Sequence, residues 1–171
     1  MAERAQLDSR RRAGLGLLLA GVIAGTVAAL GPLIGHVLTG RSLAGGALLP
    51  STAGFSDLYR AATAGWVATD LGHPGPADPL LAVLLPFTAL TRSVSATSGF
   101  LMLGALVLAG WGGWAAAGAA TRSNTVRIWA ALGWAAAPSL LVAVSAGRLG
   151  AVLAHLALPW LVLGVARALG L

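Results

Sequence analysis

The sequence predicts an all-α polytopic membrane protein: about four transmembrane helices, plus amphipathic and re-entrant helices in the first outer loop. Three observations carry this. Of 171 residues, 57% are apolar and only 9% charged, with a mean hydropathy of +0.85; soluble domains carry about a quarter charged residues. Apolar runs of about 20 residues, long enough to cross a bilayer at 1.5 Å per residue, recur along the chain. Glycine is abundant, at 24 residues, as in packed transmembrane helices. The same composition excludes a disordered chain. Zero Cys excludes a disulfide scaffold and a thiolate metal site. The formal charge of +6 comes entirely from arginine, because lysine is absent. In a membrane protein such an excess reads as topology and lipid headgroups, not nucleic acid.

The elements follow in order. Residues 1–12 form a basic N-terminal segment ending in Arg10, Arg11 and Arg12. The first span is Ala13 to Leu38, uncharged, with Gly31-Pro32 as a kink near its far end. A cleaved signal peptide is the rival reading of this start. The run exceeds the signal core of about 7–15 residues, which favours a retained span. Residues 39–98 form an outer loop. Within it Phe55, Leu58, Tyr59, Ala62 and Trp66 recur at helical spacing, predicting an amphipathic helix over 56–66. Its Tyr59 and Trp66 suit the headgroup level.

A run of Gly, Pro and Asp from Asp70 to Pro79 signals a loop. Asp78 before Pro79 is an N-cap and first-turn pair. It opens a short apolar helix over 79–90, bent near Pro86. At roughly 18 Å this helix is too short to cross and reads as interfacial or re-entrant. Thr91 to Ser98 reads as a polar turn. The second span is 99–120, followed by a cytoplasmic hairpin at 121–127. The third span is 128–146, with Pro138 inside it. Gly147-Arg148 is a tight break, and the fourth span, 149–166, is closed by Arg167. Gly21 and Gly25, and then Gly104, Gly110 and Gly118, are small residues suited to helix packing.

The arginines set the orientation. With the N-terminus in the cytoplasm, seven lie inside (Arg4, Arg10, Arg11, Arg12, Arg122, Arg127, Arg167) and four outside (Arg41, Arg60, Arg92, Arg148). Trp114 and Trp129 flank the inner hairpin, where an aromatic belt belongs. The expectation is a multi-pass protein of the plasma membrane with both termini cytoplasmic.

The outer loop holds the candidate chemistry. Asp57 and Arg60 sit three apart, on one helical face. A carboxylate at the membrane surface suits a general base, and an adjacent arginine holds a phosphate bidentately. The competing reading is a helix cap and its local ion pair. Asp70 is the second carboxylate, with turn hydrogen bonding as its competing role. Arg148, at the outer break between spans, suits phosphate binding or simple snorkelling. Asp57 and Asp70 are thus the candidate catalytic residues, and Arg60 and Arg148 the candidate phosphate- or lipid-binding residues. All four are expected around a shared groove at the outer surface. Asp78 reads as a cap only. His155 lies inside the fourth span, where it is either functional or satisfied by a backbone carbonyl. His36 and His73 read as interfacial or loop residues. The scattered histidines make no metal spacing. No Walker loop, Gly-x-Gly-x-x-Gly, Gly-x-Ser-x-Gly or Asp-x-Asp is present, so neither a cofactor nor a soluble catalytic domain is expected.

Several short segments carry a resemblance. These are Gly45-Gly46-Ala47-Leu48-Leu49-Pro50, Asp57-Leu58-Tyr59, Gly65-Trp66 and Gly72 in the outer loop. Further on they are Ala137-Pro138, Ser145-Ala146-Gly147-Arg148-Leu149-Gly150 and Leu158-Pro159. Their order, over most of the chain from about Ala13 onward, resembles the membrane region of large actinobacterial glycosyltransferases. Those proteins join a cytoplasmic family-two glycosyltransferase domain to a polytopic region similar to lipid-phosphosugar transferases.

The resemblance implies a membrane-embedded part of a glycosyltransferase in cell-envelope polysaccharide or glycolipid assembly, using a polyprenyl-phosphate-linked sugar. It implies membrane lipids, that donor and the remainder of a larger transferase as partners, since the family-two domain and further spans lie outside this chain. It also puts the catalytic acid in the first outer loop, on the segment holding Asp57 and Asp70. The alternative is a non-enzymatic multi-span scaffold or transport subunit. Few ionisable groups lie inside the spans, which argues against an ion or proton pathway.

Overall fold

The computed structural model describes residues 2–39, 41–67 and 71–170, with side chains throughout except at residues 2–8, 10 and 11. Among the described residues there are seven helices and one two-stranded sheet. They are α1 (Ala2–Leu38), α2 (Phe55–Thr63), β1 (Trp66–Val67), β2 (His73–Pro74), α3 (Pro79–Thr91), α4 (Val94–Ala120), α5 (Asn124–Ala135), α6 (Pro138–Ser145) and α7 (Leu149–Ala168). Four stretches are long and apolar enough to cross a bilayer: Arg12–Leu38, Val94–Ala120, Asn124–Ser145 and Leu149–Ala168. The chain is an all-α membrane-spanning protein. Large apolar side chains such as Leu17, Val142, Leu161 and Val165 are exposed around the bundle. That is the expected outward face of helices solvated by lipid.

α4 is the central helix and packs on α1, α5 and α7. Lipid tails are as apolar as leucine, so close van der Waals packing holds such helices together. Small residues supply it. Ala105, Ala109 and Ala131 are wholly buried. Gly113 of α4 lies so near α5 that an added Cβ would sit 3.1 Å from the Ala131 backbone, and one at Gly112 would sit 3.3 Å from Pro159 of α7. Gly21 and Gly25 do not take part: nothing among the described residues lies within 4 Å of a Cβ built on either. α1 instead buries the neighbouring face, through Leu18, Val22 and Thr26.

Several boundaries differ from the sequence expectation. α2 ends at Thr63 rather than 66, because Ala64 turns extended (ψ 132°) and Trp66 pairs with Pro74 in the small sheet. α4 starts at Val94, inside the expected polar turn, because the Ser93 hydroxyl accepts the Ala96 N–H at 3.3 Å and caps the helix. Thr97 and Ser98 are therefore helical and buried. The Thr97 hydroxyl bonds those of Thr88 (3.1 Å) and Thr91 (2.7 Å) on α3, so the polar groups satisfy one another. The expected third span is two helices, broken at Ala136–Ala137. Pro138 disfavours helical geometry in the residue before it, and Ala137 adopts ψ 131°. Pro32 lies inside α1, which runs from Ala2 to Leu38.

Backbone hydrogen bonds tie the long segment between α1 and α4 to one end of the bundle. Ala47 N–H donates to the Ala146 carbonyl (2.9 Å), beside the α6–α7 turn, and Val94 N–H donates to Ala53 (3.1 Å), at the α3–α4 turn. Gly46 (φ 58°) is so close to the Ala146 carbonyl that a side chain would collide with it. Leu58 of α2, Leu84 of α3 and Leu101 of α4 form one buried cluster beneath this loop end. The turn at residues 121–123 lies at the opposite end.

Candidate functional site

α2 begins where Gly54 leaves its extended conformation (φ −96°, ψ −173°), with Asp57 three residues on. That spacing brings the Asp57 carboxylate back to the helix start, where Oδ2 accepts the Gly54 N–H at 3.1 Å. One helical turn also carries Arg60 over Asp57, and Arg60 Nη2 donates to Oδ1 at 2.6 Å. Arg60 Nε donates to the Ser56 carbonyl at 3.4 Å. Both side chains are exposed. The Gly54 N–H, and then the Arg60 guanidinium, hold the Asp57 carboxyl below its ordinary value near 3.8. Asp57 is thus an ionised carboxylate at neutral pH, with both oxygens engaged.

The structure brings Asp57 and Arg60 together. Asp70 lies outside the described residues. Arg148 sits at the N-cap position of α7, exposed, at the same end of the bundle. Its backbone N–H closes the preceding helix on Ala143 (2.9 Å). Among the described residues no hydrogen bond or ion pair joins its side chain to Asp57 or Arg60. Two hollows open at this end, and none of these three residues lines either of them. Of the four residues expected around one groove, the described structure joins Asp57 and Arg60 by a direct contact.

The first hollow, of about 230 Å³, is largely apolar and lies between α1, the 43–48 loop and α4, with Leu33, Met102 and Ser145 on its walls. The second, of about 120 Å³, has a largely apolar wall that includes Val37 and Ala96, with a polar edge. Arg41 and Ser42, just beyond α1, meet Ser93 and Ser95 at the start of α4. A cation and three serines meet there at the first turn of the 27-residue α4, whose Val94 and Ala96 N–H groups are already taken by the Ala53 carbonyl and the Ser93 hydroxyl. Helix N-termini favour anions, and guanidinium suits phosphate. These residues carry no motif, and more than 50 positions separate the two halves. Their only sequence signal is that each directly borders a span.

His155 is buried in α7, stacked on the Trp134 ring (centroids 4.2 Å apart), with Nε2 3.1 Å from the Trp134 carbonyl. Of its two sequence readings, the backbone-satisfied one holds. Asp78 caps α3, accepting the Leu80 N–H at 2.9 Å. Among the described residues no three His, Asp or Glu side chains come together as metal ligands.

Comparison with protein-family models, curated proteins and solved structures found no match to this chain.

Proposed function

We propose that this chain is the membrane-embedded part of a glycosyltransferase of cell-envelope polysaccharide or glycolipid assembly, taking a polyprenyl-phosphate-linked sugar. The observation that carries the reading is the hollow at the loop end, where Arg41, Ser42, Ser93 and Ser95 edge a largely apolar wall. A phosphate seated there meets a guanidinium, hydroxyl donors and a helix N-terminus. Its lipid chain runs on along the apolar helices. The same loop holds the exposed Asp57–Arg60 pair. That pair lines neither hollow, so in this reading Asp57, once released by Arg60, accepts a proton from an acceptor hydroxyl without touching the phosphate. Asp70 is the alternative base and Arg148 an additional phosphate contact. The resemblance in the order of its short motifs to the membrane region of actinobacterial glycosyltransferases motivates the reading, with the remainder of a larger transferase as partner.

In this reading the loop end faces outward from the plasma membrane, and both termini are cytoplasmic. The seven-to-four arginine bias supports that orientation. Cys replacing Ser51 then reacts with an impermeant thiol reagent in intact cells; reaction only after lysis reverses the topology.

A non-enzymatic membrane scaffold is the second reading. It is favoured by the double engagement of Asp57, which is what a helix cap requires. Mass spectrometry of lipids that copurify with the full chain separates the two. Polyprenyl-phosphate species above their membrane abundance support the transferase part. Bulk phospholipid alone supports the scaffold.

A further inference from the structure

The end of the bundle away from the loop carries a second basic site. Arg127 of α5 and Arg167 in the last turn of α7 lie 40 positions apart, yet both line one hollow of about 250 Å³ with Ala115, Gly118 and Ala119 of α4. Arg127 is held in place. Its guanidinium carbon lies 4.6 Å from the Trp114 ring centroid, and Nη2 donates to the Trp114 carbonyl at 3.3 Å. Gly118 makes room for it: a side chain at 118 would collide with the guanidinium. Arg167 is exposed and has no acidic partner among the described residues.

Deeper along the same two helices, α4 and α7, lies an aromatic pair. Trp111 and Trp160 meet edge to face, centroids 5.1 Å apart, and both are exposed. Trp111 is one turn before Ala115 and two before Gly118, and Trp160 is two turns before Arg167. Helical spacing puts them along the α4–α7 seam, roughly 10 Å into the bundle from the arginines at 1.5 Å per residue.

We infer that this seam is a binding site for an anionic phospholipid. Its phosphate sits between Arg127 and Arg167, and an acyl chain lies over the Trp111–Trp160 pair. Charge complementarity names the headgroup. Two guanidinium charges drawn from separate helices attract a phosphate, and the exposed Arg167 supplies N–H donors to it, where a zwitterionic headgroup brings its own cation. The exposed aromatic pair about two turns further along the same helices calls for a lipid rather than free phosphate. The site is distinct from the loop-end hollow and does not rest on the transferase reading.

Quenching of tryptophan fluorescence by brominated lipids tests this. The full chain is reconstituted in phosphatidylcholine bilayers containing brominated phosphatidylglycerol or, in parallel, brominated phosphatidylcholine. The expected result is preferential quenching by the anionic lipid, about fivefold in relative association for each arginine at the headgroup. Arg167→Gln, on an exposed helix end, should remove about fivefold of that preference. Arg122→Gln, at the same end but outside the hollow, should leave it unchanged. The preference should vanish in the Trp111→Phe/Trp160→Phe double variant. Equal losses in Arg167→Gln and Arg122→Gln, or none in either, overturn the site. So does a preference that survives the double tryptophan variant. Displacement by soluble glycerol phosphate would overturn the lipid assignment.

Discussion

His155 on α7 holds the backbone carbonyl of Trp134 on α5, with 3.1 Å between its Nε2 and the carbonyl oxygen. The cause is four residues further along. In a continuous helix the Trp134 carbonyl would accept from the N–H of residue 138, and proline has none. Ala137 N–H reaches the same carbonyl at 3.3 Å. The imidazole, stacked on the Trp134 ring, supplies the further partner that an apolar environment demands. A proline in one span and a histidine in the next are thus a single device, which pins the break between α5 and α6 against α7.

This coupling is measurable. His155→Phe keeps the stacking and removes the hydrogen bond, and should cost about 1–2 kcal/mol in detergent unfolding. Pro138→Ala restores an N–H that can return to Trp134. In that background His155→Phe should cost about 1 kcal/mol less, a coupling that a double-mutant cycle reads directly.

The hydroxyl cluster between α3 and α4 should behave as a buried polar network. Thr97 and Thr88 are wholly buried, and Thr97 bonds both Thr88 and Thr91. Thr97→Val keeps the shape but strands the Thr88 hydroxyl. The expected loss is about 1–3 kcal/mol, where Ser95→Ala, on the partly exposed side of the same helix, should change unfolding by less than about 0.5 kcal/mol.

Glycine substitutions should split by backbone conformation. Gly147 has φ 67°, and a Cβ there would meet Gly45 and Leu48 of the outer loop. Gly147→Ala should destabilise by at least about 1–2 kcal/mol and loosen the 43–48 loop. Gly133 lies inside α5 with nothing within 4 Å. Gly133→Ala should be neutral or stabilising by up to about 1 kcal/mol. Thermal unfolding of the two variants side by side checks the contrast.

Acid should act on α2 late. The Asp57 carboxyl is held below its ordinary value, so its contribution is full above about pH 4 and fades as pH falls through the lowered value. Hydrogen exchange of the first turn of α2 should, after correction for intrinsic rate, show constant protection from about pH 5 to 8 and loss only below about 4. Asp57→Asn should remove the acid dependence.

What could be read in the sequence was what local chemistry or bulk hydropathy decides. Asp78-Pro79 is a cap and first-turn pair whose geometry needs no tertiary partner, and α3 starts there. The apolar runs announce the all-α membrane class. Boundaries set by tertiary contacts were less visible. The helical spacing that includes Trp66 continues past the true end of α2, and only its pairing with Pro74 decides otherwise. Thr97 and Ser98 look like turn residues until α3 supplies hydroxyls to meet them. The Arg41–Ser93 hollow unites segments with no shared pattern. Asp57 and Arg60 were visible as a pair because three-residue spacing on a helix brings side chains together. Whether the pair caps or catalyses is not encoded in that spacing.

The central claim is that the loop-end hollow holds a lipid-linked phosphate. Its most direct test is equilibrium binding of radiolabelled polyprenyl phosphate to the full chain in nanodiscs, wild type against Arg41→Gln. Saturable binding, weakened about tenfold by Arg41→Gln as expected for loss of a charge-assisted phosphate contact of about 1.5 kcal/mol, is the predicted result. Binding that does not saturate, or that is the same in both proteins, would contradict it.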